Sequence, residues 1–259
     1  MLSTKQIKIM KKMFSYITTI FFFIAFAISL NVFHLIQVVL RNLFGYHPHK
    51  KSVDILNFFL VKSLYFTGAR TVKCIKTEEY PTDRPIIFVS NHQSMFDIPG
   101  VIWFMRKHHP KFVSKKELAK GIPSISYNLK YGGSVLIDRK DKEQALREIR
   151  KLGEYIEKNN YSACIYPEGT RSRDGVLKEF KIGGLATMID AAPSCIIVPV
   201  VVKNTWKLLK NKGFPIPIGT KLSWTFLPAI EPKKYAPDNY SQLLEDVRSV
   251  IAKELQKEN

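Results

Sequence analysis

The sequence predicts an α/β protein, with a mainly parallel sheet flanked by helices and a membrane-attached helical hairpin at its N-terminus. Residues 13–40 contain no Asp, Glu, Lys or Arg, and about 20 apolar residues are enough to cross a bilayer core. From residue 70 onward, short β-branched runs alternate with amphipathic helical patterns, which is typical of a parallel sheet covered on both faces. We therefore expect membrane-anchoring helices at 1–69 and a separate α/β domain at 70–259.

The N-terminal region carries positive charge on both sides of its apolar stretch, which leaves the orientation of the first helix open. A secretory signal is a poor match, because its apolar region would span roughly 7–15 residues. Further along, Asp54, Asn57 and Lys62 recur on one helical stripe, which predicts a second helix lying in the membrane interface. A hairpin that dips into one leaflet and a simple span both fit this pattern.

Alternating strands and helices are predicted for the rest of the chain. Buried strands are expected at 85–90, 111–114, 134–138, 162–166 and 196–202, with a late strand inside 221–230. Helices are expected at 96–106, 116–129, 141–158 and 182–191, followed by a closing amphipathic helix around 243–255. In the third of these helices, Asp141 suits the N-cap position.

The composition favours anionic partners. Lys and Arg total 40 against 22 acidic residues, a net charge of +18, which suits nucleic acid, anionic lipid headgroups, phosphorylated substrates or an acidic carrier protein. Of three cysteines, Cys164 and Cys195 sit in apolar runs and are expected to be buried free thiols. The sequence offers no structural zinc spacing, P-loop or dinucleotide fingerprint. We therefore predict that the protein needs no metal and no nucleotide cofactor.

The segment SNHQSMFD, at 90–97, places a histidine and an aspartate directly after a predicted strand. In parallel sheets, ligands gather beyond the carboxyl ends of the strands. Separately, His92 could be an ordinary loop histidine and Asp97 could favour a helix dipole. Together they predict a base held by its orienting carboxylate, acting on a hydroxyl that the substrate supplies. Ser94 lacks the elbow of a serine nucleophile and is interpreted as a capping residue.

Basic residues follow the other predicted strands at the same edge of the sheet. The turn YPEGTRSRDG, at 166–175, projects Arg171, whose planar guanidinium can pair with two phosphate oxygens. Arg139 and Lys115 stand at the ends of two further strands. The alternative interpretation of the turn is a basic surface loop in which Glu168 pairs with an arginine. The two histidines at 108 and 109 are expected to form a solvated pair near a helix end.

Four ordered blocks in this sequence resemble the bacterial-type 1-acylglycerol-3-phosphate acyltransferases of the glycerolipid acyltransferase superfamily. The blocks are NHQSMFD at 91–97, GGSVLIDR at 132–139, YPEGTRS at 166–172 and IVPV at 197–200. EFKIGG, at 179–184, also resembles the stretch that follows the third block. Tyr166 and Leu136 stand where the family commonly has Phe, and Ile182 where it commonly has Lys. The resemblance covers 85–202, with a looser fit up to 230.

This resemblance implies a role for each matching residue. His92 would be the general base and Asp97 its partner, while Pro199 would shape the acyl pocket. The residues that would bind the glycerol phosphate of the acceptor are Glu168, Gly169, Thr170, Arg171, Arg139 and Lys115. The implied reaction moves an acyl chain from acyl-CoA or acyl-carrier protein to the sn-2 hydroxyl of 1-acylglycerol 3-phosphate, giving phosphatidic acid.

The resemblance also implies a location: the membrane, with the catalytic domain on the cytoplasmic side, which would be the inner membrane if the protein is bacterial. The expected partners are a membrane lipid acceptor, a thioester donor and an anionic membrane surface. Alternatives are the same chemistry on another lysophospholipid, on glycerol 3-phosphate or on an amino-acid-derived lipid. A non-catalytic module that binds anionic lipid is a further alternative. No recognised motif indicates nucleic-acid binding.

Overall fold

Within residues 3–235 and 239–257, which this computed structural model describes, seven strands form one mixed sheet. They are β1 (Thr71–Lys76), β2 (Ile86–Ser90), β3 (Pro110–Lys115), β4 (Val135–Ile137), β5 (Ser162–Ile165), β6 (Ile196–Lys203) and β7 (Lys221–Phe226). Their order across the sheet is β1-β7-β6-β2-β5-β3-β4. All neighbours are parallel except β6 and β7, so the mainly parallel sheet is confirmed.

The helices begin and end close to the predicted positions, with one exception described below. They are α1 (Thr4–Phe44), α2 (Tyr46–Ser63), α3 (Asp97–Phe104), α4 (Ile125–Tyr131), α5 (Lys142–Asn159), α6 (Ile182–Ala191) and α7 (Tyr240–Gln256). At the start of α5, the Asp141 side chain accepts a hydrogen bond from the Gln144 backbone N–H. This bond satisfies one of the free N–H groups of the first turn and confirms Asp141 as the N-cap.

The sheet lies between two apolar cores, because successive side chains of a strand point to opposite faces. Phe88 of β2 and Val198 of β6 belong to one core, together with Phe22 of α1. Val89 and Ile197, the neighbouring residues on those strands, belong to the other core, against α5, α6 and α7. Burial on both faces explains why the central strands read as continuous apolar runs.

The first two helices form an antiparallel hairpin joined at a single residue. Gly45 adopts φ +80° and ψ −155°, a backbone region that only glycine populates readily. Pro48 lies in the first turn of α2, where its missing N–H breaks no helical bond. Among the described residues, α1 is the one helix long and apolar enough to cross a membrane, judged by length and composition alone.

The hairpin buries several polar side chains and exposes most of the large apolar side chains of α1. Ser15, Thr19 and Gln37 of α1 are buried against the rest of the protein, while most of the large apolar side chains of α1 are exposed. On α2, Asn57 is buried whereas Phe59 is exposed. Of the expected polar stripe of α2, Asn57 packs inward and bonds the Val53 carbonyl, Asp54 is half-buried and Lys62 is exposed. An outward apolar face of this size is typical of contact with lipid.

Two elements differ from the sequence expectation. The helix expected at 116–129 is interrupted: a 3₁₀ turn at Lys116–Ala119 is followed by α4. Gly121, at φ +85°, and Pro123 separate the two pieces, because proline cannot continue a helical hydrogen-bond ladder. Strand β1 was not predicted. Among the described strands it has β7 as its one neighbour, at the edge of the sheet. It is largely exposed, and its residues therefore lack the apolar run of a central strand.

The histidines at 108 and 109 are packed rather than solvated, which corrects the sequence expectation. His108 is buried, and the His109 ring stacks on Tyr161 with centroids 4.3 Å apart and planes 7° from parallel. The Tyr46 hydroxyl accepts a hydrogen bond from Lys111 Nζ at 2.7 Å and lies 3.0 Å from His109 Nδ1. Tyr46, His109 and Lys111 therefore form one packed polar cluster.

We expect this packing to make stability fall in acid. Burial, followed by the charges of Lys50 and Lys111, lowers the pKa of His109 to about 3, below an ordinary value of about 6.5. Between these values the unfolded chain binds the proton and the folded chain does not, so stability decreases as pH drops from about 6.5 towards 3. His109→Phe keeps a stacking ring without a titrating group, and its melting temperature should depend less on pH in this window. Parallel pH profiles for the two proteins would contradict this assignment.

Candidate active site

The loop between β2 and α3 brings His92 and Asp97 into contact. His92 Nδ1 lies 2.8 Å from Asp97 Oδ2, and both side chains are buried. The same carboxylate oxygen accepts the backbone N–H groups of Gln93 at 2.7 Å and Ser94 at 2.9 Å. The five-residue spacing thus lets the chain fold back on the carboxylate, and Asp97 fixes both the loop and the orientation of the imidazole.

The second oxygen of Asp97 is also occupied. Oδ1 accepts hydrogen bonds from the Ser94 hydroxyl at 3.3 Å and from the Thr205 hydroxyl, which follows β6. Thr205 is fully buried. The main chain of Asp97 is held as well, because its carbonyl accepts the Trp224 indole N–H at 2.9 Å. Residues from three separate segments therefore position one carboxylate.

The face of the His92 ring packs against Tyr166, the first residue after β5. The ring centroids are 4.1 Å apart and the planes 23° from parallel. In the part of the chain that the structure describes, no protein group is hydrogen-bonded to His92 Nε2. With Nδ1 turned to Asp97, Nε2 is the nitrogen left to accept a proton from another molecule.

Glu168 connects the loop after β5 to the histidine loop. Its Oε1 accepts the His92 backbone N–H at 2.7 Å, and its Oε2 accepts the Lys178 backbone N–H at 3.3 Å. The Ser172 N–H in turn donates to the His92 carbonyl at 2.7 Å. Burial raises the pKa of Glu168, and these backbone hydrogen bonds oppose that rise. Glu168 is thus turned inward, towards the backbone that carries His92.

The exposed part of the same loop is basic. Gly169 has φ +70°, which supports the tight turn that leaves Thr170 and Arg171 exposed. Lys178 Nζ donates to Thr170 Oγ1 at 3.1 Å and to the Arg171 carbonyl at 2.8 Å. Lys181 Nζ lies 4.0 Å from the position that a Cβ atom on Gly169 would occupy. The side chains of Thr170, Arg171, Lys178 and Lys181 therefore provide hydrogen-bond donors at one exposed turn.

Arg139 and Lys115 lie at the ends of the next two strands. Partial burial, and next the charge of Arg171, lower the pKa of Arg139, which places the two guanidinium groups in each other's electrostatic field. Lys115 ends β3, pairs in register with Ile137 of β4 and is exposed. The adjacent strand order β2-β5-β3-β4 sets all these carboxyl ends along one edge, as the sequence predicted.

Sequence reasoning missed three residues of this site. Thr205 follows the fourth block closely, but nothing in its local pattern shows that it reaches Asp97, 108 positions away. Lys178 and Lys181 stand in or beside the EFKIGG stretch, so their positive charge was a usable signal. Among the described residues no group of three or more His, Cys, Asp or Glu side chains could hold a metal ion. Cys164 and Cys195 are buried free thiols, as predicted.

The fold and site are those of an α/β enzyme with its polar residues at the carboxyl edge of the sheet. The chain belongs to the acyltransferase family: the family described as Acyltransferase matches residues 71–203, about half of the chain. The predicted resemblance is thereby confirmed, and the protein is an acyltransferase, which moves an acyl group from a donor to an acceptor.

Individual relatives carry more specific names. The chain is 24% identical over 198 residues to 1-acyl-sn-glycerol-3-phosphate acyltransferase alpha of Mus musculus, covering 76% of this chain and 68% of the relative. It is 30% identical over 154 residues to the beta enzyme of Homo sapiens, covering 60% of this chain and 54% of the relative, so it spans only about half of that protein. The crystal structure of the 1-acyl-sn-glycerophosphate acyltransferase PlsC from Thermotoga maritima superposes with a TM-score of 0.76 at 22% identity, covering 95% and 97% of the two chains. That likeness shows a shared fold.

We expect Thr205 to contribute to turnover through Asp97. Thr205→Val keeps the side-chain shape and removes the hydroxyl, and a hydrogen bond to a charged group is worth about 1.5–3 kcal/mol. If the histidine needs that carboxylate held in place, kcat should fall about 10–100-fold with little change in KM for either substrate. Thr205→Ser, which retains the hydroxyl, should restore most of the activity. Equal loss in both variants would indicate a purely structural role for this position.

Proposed function

We propose that this acyltransferase moves an acyl chain from a thioester to the sn-2 hydroxyl of 1-acylglycerol 3-phosphate, giving phosphatidic acid. The observation that carries the proposal is the juxtaposition of the His92–Asp97 pair with the basic turn around Arg171. A base that accepts a proton suits a hydroxyl acceptor, and a cluster of cations suits a phosphate on the same molecule. The names of the mouse and human relatives support this choice of acceptor.

In the proposed mechanism, His92 Nε2 removes the proton as the acceptor oxygen attacks the thioester carbonyl. The resulting tetrahedral intermediate collapses, the carbon–sulfur bond breaks, and the imidazolium returns its proton to the departing thiolate. Asp97 keeps the imidazole in the tautomer with the proton on Nδ1 and stabilises the imidazolium that forms. The buried hydrogen bonds to Asp97 hold this arrangement before substrate arrives, so little reorganisation is needed during the reaction.

The phosphate of the acceptor would bind on the exposed side of the basic turn. We assign direct contacts to Arg171 and Arg139, with Thr170 as a hydroxyl donor and Lys115 at the far strand end. Gly169 gives the phosphate close access to the backbone. Glu168 was expected to share this role, but both of its oxygens accept backbone N–H groups, and a carboxylate repels phosphate. We therefore assign Glu168 to positioning the His92 backbone.

The outward apolar face of the hairpin supports a membrane location. A lysolipid acceptor resides in a bilayer whereas its thioester donor is water-soluble, so the site must work at the boundary between them. We propose that residues 1–69 attach the catalytic domain, 70–259, to the cytoplasmic side of a membrane; residues 1–2, 236–238 and 258–259 lie outside the described part of the chain. Acyl-CoA and acyl-carrier protein both suit the proposal as donors, and Pro199, buried beside Val89 on the neighbouring strand, is a candidate wall of the acyl site.

The direct test is an assay of membranes that contain the full-length protein, offered 1-acylglycerol 3-phosphate with acyl-CoA or with acyl-carrier protein. Membranes lacking the protein give the background rate. Phosphatidic acid should form at a rate well above that background with at least one donor. The same membranes should be offered a lysophospholipid with a different headgroup, and glycerol 3-phosphate. Faster acylation of either of these acceptors would assign the chain a different substrate.

Loss of the base should remove catalysis and leave the fold intact. His92→Ala should lower turnover about 10²–10⁴-fold, the usual contribution of a general base. Asp97→Asn should also be severely impaired, because the amide can favour the wrong imidazole tautomer. Both variants should be compared with wild type after their melting temperatures have been measured. A folded His92→Ala protein that turns over near the wild-type rate would rule out the proposed mechanism.

The phosphate assignment predicts a selective effect of Arg171→Lys. The lysine keeps the charge but cannot make the paired contact of a guanidinium with two oxygens. The KM for the phosphorylated acceptor should therefore rise while the KM for the thioester stays close to wild type. Lys253→Gln, at an exposed position in the last turn of α7, provides a surface control. A rise in the thioester KM alone would make Arg171 a donor ligand instead.

A further inference from the structure

A second candidate site lies away from the His92–Asp97 pair, between the N-terminal part of α1 and the loop at 211–218. The two segments enclose an open groove of about 610 Å³. Lys11 and Lys12 line one wall, and Phe214 and Pro217 line the other. The segments are held together by a hydrogen bond at 2.9 Å from the Ile216 backbone N–H to Thr19. The two walls of the groove are therefore in direct contact with each other.

The helical period of α1 places Lys11 and Lys12 at the groove. Lys11 and Lys12 precede Ser15 and Tyr16 by four residues, a spacing that returns to the same side of a helix, and all four residues line the groove. Ser15 and Thr19 are buried against the rest of the protein, so the lysine face continues on the protein side of α1. All residues from 3 to 14 are exposed, which leaves this part of the helix extending beyond the domain.

The α1 wall of the groove is positive, and none of the lining residues is acidic. Residues 4–44 and 204–220 contain no Asp or Glu. Lys210 and Lys212 flank Asn211 of the lining, and Lys207 lies three residues before Lys210; they add positive charge near the groove without lining it. Cations concentrated without acidic partners attract an anion, and lysine binds phosphate groups as a point charge.

The groove also has an apolar side that points to a lipid. Phe214 is 48% exposed and Tyr16 is 38% exposed, and their rings meet edge to face with centroids 5.4 Å apart. The next outward residues along α1, Ile17 and Ile20, are exposed too. Aromatic rings beside lysines at the end of an apolar surface are typical of the level of lipid headgroups. A soluble phosphate compound would make no use of this apolar continuation.

We propose that this groove binds the headgroup phosphate of an anionic phospholipid, whose acyl chains lie along the exposed apolar face of α1. Lys11 and Lys12 pair with the phosphate, while Tyr16 and Phe214 contact the glycerol and the first methylenes. The bound lipid is a non-reacting one, which holds the end of α1 and the 211–218 loop at the membrane surface. The inference rests on the groove alone and does not depend on which acceptor is acylated at His92.

The test compares lipid retention by the full-length protein in detergent, measured by native mass spectrometry. Phosphatidylglycerol and phosphatidylcholine with identical acyl chains are offered in equal amounts. Wild type should retain phosphatidylglycerol in preference. The double variant Lys11→Gln/Lys12→Gln should bind it about 30-fold more weakly, from roughly a sixfold loss for each surface-proximal charge. Lys233→Gln/Lys234→Gln removes the same charge from an exposed 3₁₀ turn outside the groove and should bind like wild type.

Three results would overturn the proposal. The first is the absence of any preference for phosphatidylglycerol in wild type. The second is an equal loss in both double variants, which would indicate general surface charge rather than a site. The third is displacement of phosphatidylglycerol by free coenzyme A, which would make the groove part of the path for a soluble donor. Matching melting temperatures of the three proteins establish that the comparison concerns binding and not folding.

Discussion

The buried carboxylate of Asp97 is the constraint on which the site depends. A charge removed from water is costly unless hydrogen bonds and counter-charges replace its hydration. Here the replacement comes from the His92 imidazole, two backbone N–H groups of the same loop and the Thr205 hydroxyl. Each of these donors must be in place for the carboxylate to remain buried. The loop, the start of α3 and the segment after β6 therefore hold one another in a single arrangement.

Glu168 links the hydrogen-bonded residues around Asp97 to the basic turn. That side chain bonds the backbone of His92 on one side and the backbone of Lys178 on the other, and Lys178 in turn contacts Thr170 and the Arg171 carbonyl. Base and cations are thus connected by a short chain of hydrogen bonds rather than placed independently. A substrate that carries both a hydroxyl and a phosphate needs such a fixed separation between the two binding groups.

The hairpin imposes a second constraint, since it buries polar side chains and exposes apolar ones. Thr19 bonds the Ile216 backbone, and Ser124, before α4, bonds the Leu30 carbonyl and reaches His34 of α1. These contacts fix the outward apolar face of α1 relative to the sheet, and with it the direction from which a lipid could approach the carboxyl edge. The N-terminal helices consequently act as more than a tether, because they form part of the core that contains Phe22 and Phe96.

The sheet, most of its helices and the edge at which the site lies follow from local signals in the amino-acid sequence. Apolar runs such as 85–90 and 196–202 predict strands, Asp141 predicts a helix start, and the polar blocks after each strand predict a shared edge. The His92–Asp97 contact was also predictable, since five residues of chain separate its partners. Three further features became visible only in the folded chain: Thr205 bonds Asp97, Glu168 turns inward, and His109 packs on Tyr161. Each of these depends on which distant strands become neighbours, and a hydrogen bond between segments a hundred residues apart leaves no periodic or local trace in the chain.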